Sequence, residues 1–308
     1  VSVLAFTILA VVLAGPVPAL LARATWPMRA PRAAIVLWQS VAVAAVLSAF
    51  SAGLALASRL FRPGIDDRPD WSAAVEIAAL GWPLWLGSVI VFALTLLIGV
   101  RLVASTVTVA VETRRRRAHH RMVVDLLGEC HHGLNGARVL DVDEPLAYCL
   151  PGIRSRVVLS VGTLATLSRP ELTAILRHER AHLRARHDLV LESFVAVHTA
   201  FPRLVRSRSA LEAVRLLVEL LADDAAVRAV GPTPVARALV ACAAARTPAG
   251  AMAAGGPTTV IRVRRLSGPP NSALLSLAAY LAAAAVLVVP TIAVAVPWLT
   301  ELHRIFRP

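Results

Sequence analysis

The sequence predicts a mostly α membrane protein, with four transmembrane helices and an α+β domain inserted between the third and the fourth. Two observations carry that expectation. Of 308 residues, 57% are hydrophobic, and the mean hydropathy of +0.68 lies outside the usual balance of a soluble domain. The apolar residues are also concentrated: four runs flank a middle segment whose composition is that of an ordinary globular domain.

The runs cover residues 1–21, 33–56, about 80–100 and 273–296, each close to the ~20 residues that cross a bilayer core. The first carries no charge and is followed by Ala22-Arg23-Ala24, which resembles a signal-peptide cleavage site. It lacks the basic leader of a signal peptide, so a retained span is expected. Pro16, Pro18, Pro83 and Pro290 fall in or beside spans, where neighbouring helices can satisfy the freed carbonyls. The expected division is a membrane part at 1–112, a polar domain at 113–267, and a last span with its tail at 268–308.

The formal charge of +13 comes from arginine alone, for the chain contains no lysine. A basic chain suits anionic lipid or nucleic acid. Nucleic-acid binding would call for basic residues interleaved with exposed aromatics, whereas aromatics are 5% of this chain and the arginines crowd the ends of apolar runs. No nucleic-acid partner is expected. Arg114-Arg115-Arg116-Arg117 follows the third run, and Arg262, Arg264 and Arg265 precede the fourth. Read as topological anchors, both hold the middle segment in the cytoplasm and leave the two termini outside a plasma membrane. Contact with anionic headgroups is a second reading of the same residues. Cys130, Cys149 and Cys242 are too few and too scattered for a disulfide framework.

Within the middle segment, 137–142 and 156–161 alternate like strands around a turn at Pro151-Gly152, and the simplest reading is an antiparallel pair. Ser168-Arg169-Pro170-Glu171 supplies a capping box with proline in the first turn. Leu172, Ile175, Leu176 and Leu183 then continue a helical apolar stripe through Arg186.

On that helix stands His178-Glu179-Arg180-Ala181-His182, the H-E-x-x-H pattern. Histidines four apart share a helix face, close enough for both rings to reach one zinc ion at ~2.0–2.1 Å. Glu179 stays beside the metal, where it can take a proton from an activated water attacking a carbonyl and deliver it to the leaving amine. A catalytic zinc wants a third protein ligand and an open position. Glu219, in the otherwise apolar Leu216-Leu217-Val218-Glu219-Leu220-Leu221, would be costly unpaired, and a metal would relieve that cost. Asp223 is one turn further along the same face, placed to accept the second N–H of a ligand imidazole. One Zn2+ per chain is expected.

These features together resemble the BlaR/MecR-type membrane metallopeptidases: four spans, Pro145-Leu146-Ala147-Tyr148-Cys149 before Pro151-Gly152, H-E-x-x-H, and the later Glu219 and Asp223. More distantly they resemble the HtpX and CAAX prenyl endopeptidases. The resemblance implies a gluzincin-like core, with two histidines from one helix and a glutamate from the next. It also implies a peptide or protein substrate lying along an edge strand near Ala147 and Tyr148, and, by analogy, a cytoplasmic repressor of winged-helix type as that substrate. In the better-known relatives a penicillin-binding sensor follows the last span; none is expected here, so β-lactam sensing is not carried over.

Other candidates are weaker. Glu129-Cys130-His131-His132 and His119-His120 read as surface or packing residues, and His187-Asp188 as a helix terminator or a substrate-orienting pair. Tyr148 and Arg228 are possible oxyanion stabilisers. The alternatives to a regulatory endopeptidase are a protein-processing or quality-control peptidase and a non-catalytic zinc-binding scaffold.

Overall fold

The structure, a computed structural model, describes residues 2–57, 77, 81–134, 136–152, 154–202, 207–243, 252–253 and 258–305. Helix α1 (Ser2–Ala14) breaks at Gly15, and α2 (Pro16–Arg23) restarts with proline at its first position, where a missing N–H costs nothing. A short 3-10 turn, Trp26–Arg29, leads into α3 (Pro31–Ala57). The acidic and basic residues between 58 and 76 lie outside the described residues.

Helix α4 (Trp82–Leu127) carries the third apolar run past residue 112. It runs for 46 residues without interruption, about 70 Å at the usual rise, and so continues well past the ~30 Å hydrocarbon core. No break separates membrane part from polar domain at residue 112, because the arginine block has good helix propensity and no glycine or proline interrupts it. Among the described residues, four helices are long and apolar enough to cross a membrane, with candidate spans at Leu4–Arg23, Pro31–Gly53, within Trp82–Leu127, and at Ala273–Ile292. The last belongs to α11 (Ala273–Ile305). Small residues let α3 and α4 meet closely: a Cβ at Gly53 would collide with Thr95, and one at Gly99 with Phe50.

After α4 come β1 (Glu129–His131), β2 (Ala137–Leu140), β3 (Ala147–Leu150) and β4 (Arg156–Ser160). The short β5 (Met252–Ala253) completes a sheet of order β1-β2-β4-β3-β5. The expected antiparallel pairing of the two alternating stretches is incorrect. β2 and β4 are parallel neighbours, and the antiparallel partner of β4 is β3, which lies between them in sequence. The hairpin turn at Pro151-Gly152 belongs to β3 and β4, so β2 can only join on the far side. Nor is β3 an open edge at Tyr148 and Cys149, which pair with Ala253 and Met252 of β5. Ala147 and Tyr148 are both buried.

The remaining helices are α5 (Val161–Thr166), α6 (Arg169–Ala185), α7 (His187–Ala200), α8 (Ser207–Val230), α9 (Pro232–Cys242) and α10 (Thr259–Leu266). Helices α7 and α8 share one apolar core with the first two candidate spans, through Phe194, Val214, Leu217 and Val218 against Leu21 and Trp38. A second core joins the sheet to α6 and α9. The polar domain is therefore seated on the membrane helices rather than hung from them.

Candidate metal centre

Helix α6 starts as its sequence predicts: Ser168 and Glu171 form a capping box, with the Ser168 N–H donating to Glu171 Oε2 at 2.8 Å. Its polar triplet His178, Glu179 and His182 faces inward and is buried. The helix ends at Arg186, the single non-glycine residue with positive φ (51°) among the described residues. A left-handed residue costs roughly 1–2 kcal/mol, and here it reverses the chain at once into α7. His187 and Asp188 consequently fold back against the site.

His178 Nε2 and His182 Nε2 are 3.1 Å apart. Glu219 Oε2 lies 3.4 Å from the first, and Glu219 Oε1 lies 3.5 Å from the second. These three residues form the one group of potential metal ligands found among the described residues, with ligand atoms all within 4.8 Å of one another. Ligands held tetrahedrally at ~2.0–2.1 Å from zinc would sit about 3.3 Å apart. The donor set fits such an ion without rearrangement.

The outer nitrogens of both rings are also held. His178 Nδ1 is 3.0 Å from Asp223 Oδ1, and His182 Nδ1 is 3.0 Å from His187 Nδ1. For His182 to offer a lone pair at Nε2 it must carry its proton on Nδ1 and donate to His187, whose own proton then sits on Nε2. His187, read from sequence as a terminator or a substrate-orienting group, is placed here against a candidate ligand ring. It fixes the ring of a candidate ligand.

Behind Glu219 and Asp223 stands Arg262, buried and forked. Its Nε and Nη2 donate to the two Asp223 oxygens at 2.8 and 2.6 Å, and its Nη1 lies 2.9 Å from Glu219 Oε2. Arg262 therefore has a structural role inside the domain in addition to its place in the flanking arginine run. Thr259, Arg262, Val263 and Leu266 follow the i, i+3, i+4, i+7 spacing of one helix face, and that pattern was the available signal for its burial. Arg264 belongs to the outward side, and Arg265 is half-buried against Asp224.

The electrostatics follow from this packing. Burial opposes charge on the His178 imidazole, but hydrogen bonds to Asp223 and Glu219 outweigh it and push the ring up to about 9. Burial, aided by His178, His187 and Arg262 and opposed by Glu219, takes His182 down to about 3. For Glu219 burial is again the largest influence and would raise it, yet His182, His178 and Arg262 together hold it at about 2. Asp223 is held far below the carboxylate range in spite of its burial, by Arg262 and His178. Glu179 differs from both: burial pushes it up to about 7, and neither of its oxygens has a hydrogen-bond partner. A buried carboxylate without a donor is expensive, which marks Glu179 as a group waiting for something polar. The Cys149 thiol is itself pushed up by burial and by the negative charge of Glu179.

The other candidates fall away from this centre. The Tyr148 hydroxyl is engaged by His120 at 3.0 Å, and Arg228 lines a separate cleft with Arg177, Arg180 and Arg184. Glu129, Cys130 and His131 are exposed. The arginine block is not uniformly superficial either, since Arg117 Nη1 reaches Asp188 at 3.2 Å and Glu192 at 2.6 Å.

Two histidines from one helix, a glutamate from another and a buried carboxylate next in sequence to the first histidine are the parts of a membrane-associated metallopeptidase. The profile of peptidase family M48 matches residues 112–269, and the chain belongs to that family. The matched stretch includes every residue of the site. No curated protein and no solved structure matches the chain. The family assignment carries the membrane-metallopeptidase reading and stops short of the BlaR/MecR subdivision.

Proposed function

We propose that the chain is a zinc endopeptidase in which His178, His182 and Glu219 hold one Zn2+ and Glu179 is the general base. The observation that carries the reading is the three-donor cluster with the unpartnered Glu179 carboxylate on the same helix. Three protein ligands rather than four argue for a reactive site over a purely structural one. When bound, zinc would supply Lewis acidity, making water a competent nucleophile and polarising the scissile carbonyl.

The chain's own residues do the rest. Asp223 and His187 hold the ligand rings so that Nε2 of each faces the site. Arg262 keeps Glu219 and Asp223 ionised in a buried setting. Glu179, its carboxylate close to neutral pH, accepts a proton from the attacking water and returns it to the leaving amine.

On the BlaR/MecR resemblance, the substrate class is a cytoplasmic regulatory protein, such as a winged-helix repressor, cut at the inner membrane face. A processing or quality-control role of the HtpX or CAAX type would use the same site. The test is Glu179→Gln in the full chain, expressed in its membrane. Cleavage should fall by about 10²–10⁴-fold while zinc content and unfolding temperature stay at wild-type values. Comparing protein termini in cells carrying each form identifies the substrate. Equal cleavage by both forms would remove Glu179 from the mechanism, and a phenotype lost in His178→Ala but kept in Glu179→Gln would favour the scaffold.

A further inference from the structure

A cavity of about 810 Å³ contains none of the metal-site residues. It lies where three candidate spans end on one side. Arg23 closes the first span, the Trp26–Arg29 turn leads to the second, and the Ser272 N–H, just ahead of α11, donates to Arg29 O at 2.9 Å. These ends mark the level of the membrane–water interface, where Trp and Arg are favoured.

The lining has two chemistries. Trp26, Leu217 and Ile261 form apolar wall, while Arg23, Arg29 and Arg264 stand at the rim. All three arginines are exposed, and none is paired with an acid among the described residues. Arg265, also at the cavity, is neutralised by Asp224 at 2.7 Å and is not available. Helix α10 explains the mixture. One face carries Arg262 into the metal centre; the other leaves Val260 78% and Ile261 44% exposed beside Arg264. An exposed aliphatic face next to unpaired guanidiniums suits neither bulk water nor hydrocarbon. It suits a ligand that is anionic at one end and apolar at the other.

We infer that this cavity is a binding site for an anionic phospholipid, with its phosphate among Arg23, Arg29 and Arg264 and its acyl chains along Trp26, Leu217 and Ile261. The cavity size is within the range of ligand sites, ~300–1,000 Å³. Occupation would engage α10 and α8, the two helices that bring Arg262 and Glu219 to the metal centre.

The test uses the full chain purified in a neutral detergent and titrated with brominated phosphatidylglycerol or brominated phosphatidylcholine, reading tryptophan fluorescence. Phosphatidylglycerol should quench at lower concentration, and Trp26→Phe should remove most of the quenching that distinguishes the two lipids. The triple variant Arg23→Gln, Arg29→Gln, Arg264→Gln should lose the preference. Arg264→Gln alone, on an exposed position that leaves the fold intact, should weaken phosphatidylglycerol binding by roughly fivefold. Inorganic phosphate and glycerol phosphate should not compete. Equal quenching by the two lipids, an unchanged preference in the arginine variants, or competition by inorganic phosphate at lipid-like concentrations would each overturn the inference. None of these readouts depends on peptidase activity.

Discussion

The two arginine runs that bracket the polar domain look alike in sequence and are used differently. In the run after the third span, Arg114, Arg115 and Arg116 point outward, and Arg117 alone turns in to Asp188 and Glu192. In the run before the fourth, Arg262 turns in to Asp223 and Glu219, Arg264 stays out, and Arg265 is taken by Asp224. Both inward arginines meet two carboxylates. Their distance from the chemistry differs: one partner of Arg262 is a candidate metal ligand, whereas Asp188 merely follows His187, whose ring holds that of His182. A run of like charges in a helix is therefore several residues with separate phases, and each takes the role its face dictates.

The largest effect should come from Arg262. Arg262→Met leaves Asp223 and Glu219 buried without their cation, and breaking a buried pair in this way costs about 3–5 kcal/mol. Denaturant unfolding of the metal-free chain measures it. Arg262→Lys should recover only part, because an ammonium cannot fork across both Asp223 oxygens. Acid provides a second readout. Glu219 is depressed from an ordinary 4.5 to about 2, so its contribution is complete above about pH 4.5 and is lost as pH falls towards 2. Without Arg262 the carboxylate rises, and that acid-sensitive contribution should shrink. If Arg262→Met unfolds as wild type does, the two runs are equivalent after all.

Arg117 should matter less. Its side chain is 12% exposed, Glu192 is near solvent, and Arg186 remains 3.5 Å from Asp188 to screen it. We expect Arg117→Gln to cost about 1–3 kcal/mol, the range for leaving a buried polar group unsatisfied. The loss should appear also as weaker zinc retention, since Asp188 and His187 share the first turn of α7. A loss of stability with zinc affinity unchanged would confine Arg117 to tethering α4.

Much of the centre was legible because a helix has one geometry. Four-residue spacing put His178 with His182 and Glu219 with Asp223, and a capping box fixed where α6 begins. Periodicity along one element says nothing about which element lies beside it. Strand pairing is not legible for that reason: the alternation in 137–142 and 156–161 is real, but the nearer β3 takes the antiparallel place beside β4. His187 was hidden for a similar reason. Its approach to His182 depends on one left-handed residue, Arg186, and arginine carries no sequence signal for that conformation. Arg262 was legible in phase but was masked by its neighbours' charge.

The smallest effect belongs to Arg116, and it is the control that gives the other two meaning. Its guanidinium lies 3.3 Å from Glu112 one turn away, with the two side chains 68% and 58% exposed. An exposed i,i+4 pair contributes about 0.3–0.5 kcal/mol at most, and salt reduces it further. Arg116→Ala also places the best helix former in α4, which offsets part of that loss. The net change in unfolding free energy should be near zero, with zinc content and cleavage at wild-type levels. Arg116 sits one residue before Arg117 and differs from it in little but helical phase. A large effect at Arg116 would mean that the block acts through its summed charge, as a lipid or topology anchor, and would dissolve the distinction between the buried and the outward arginines.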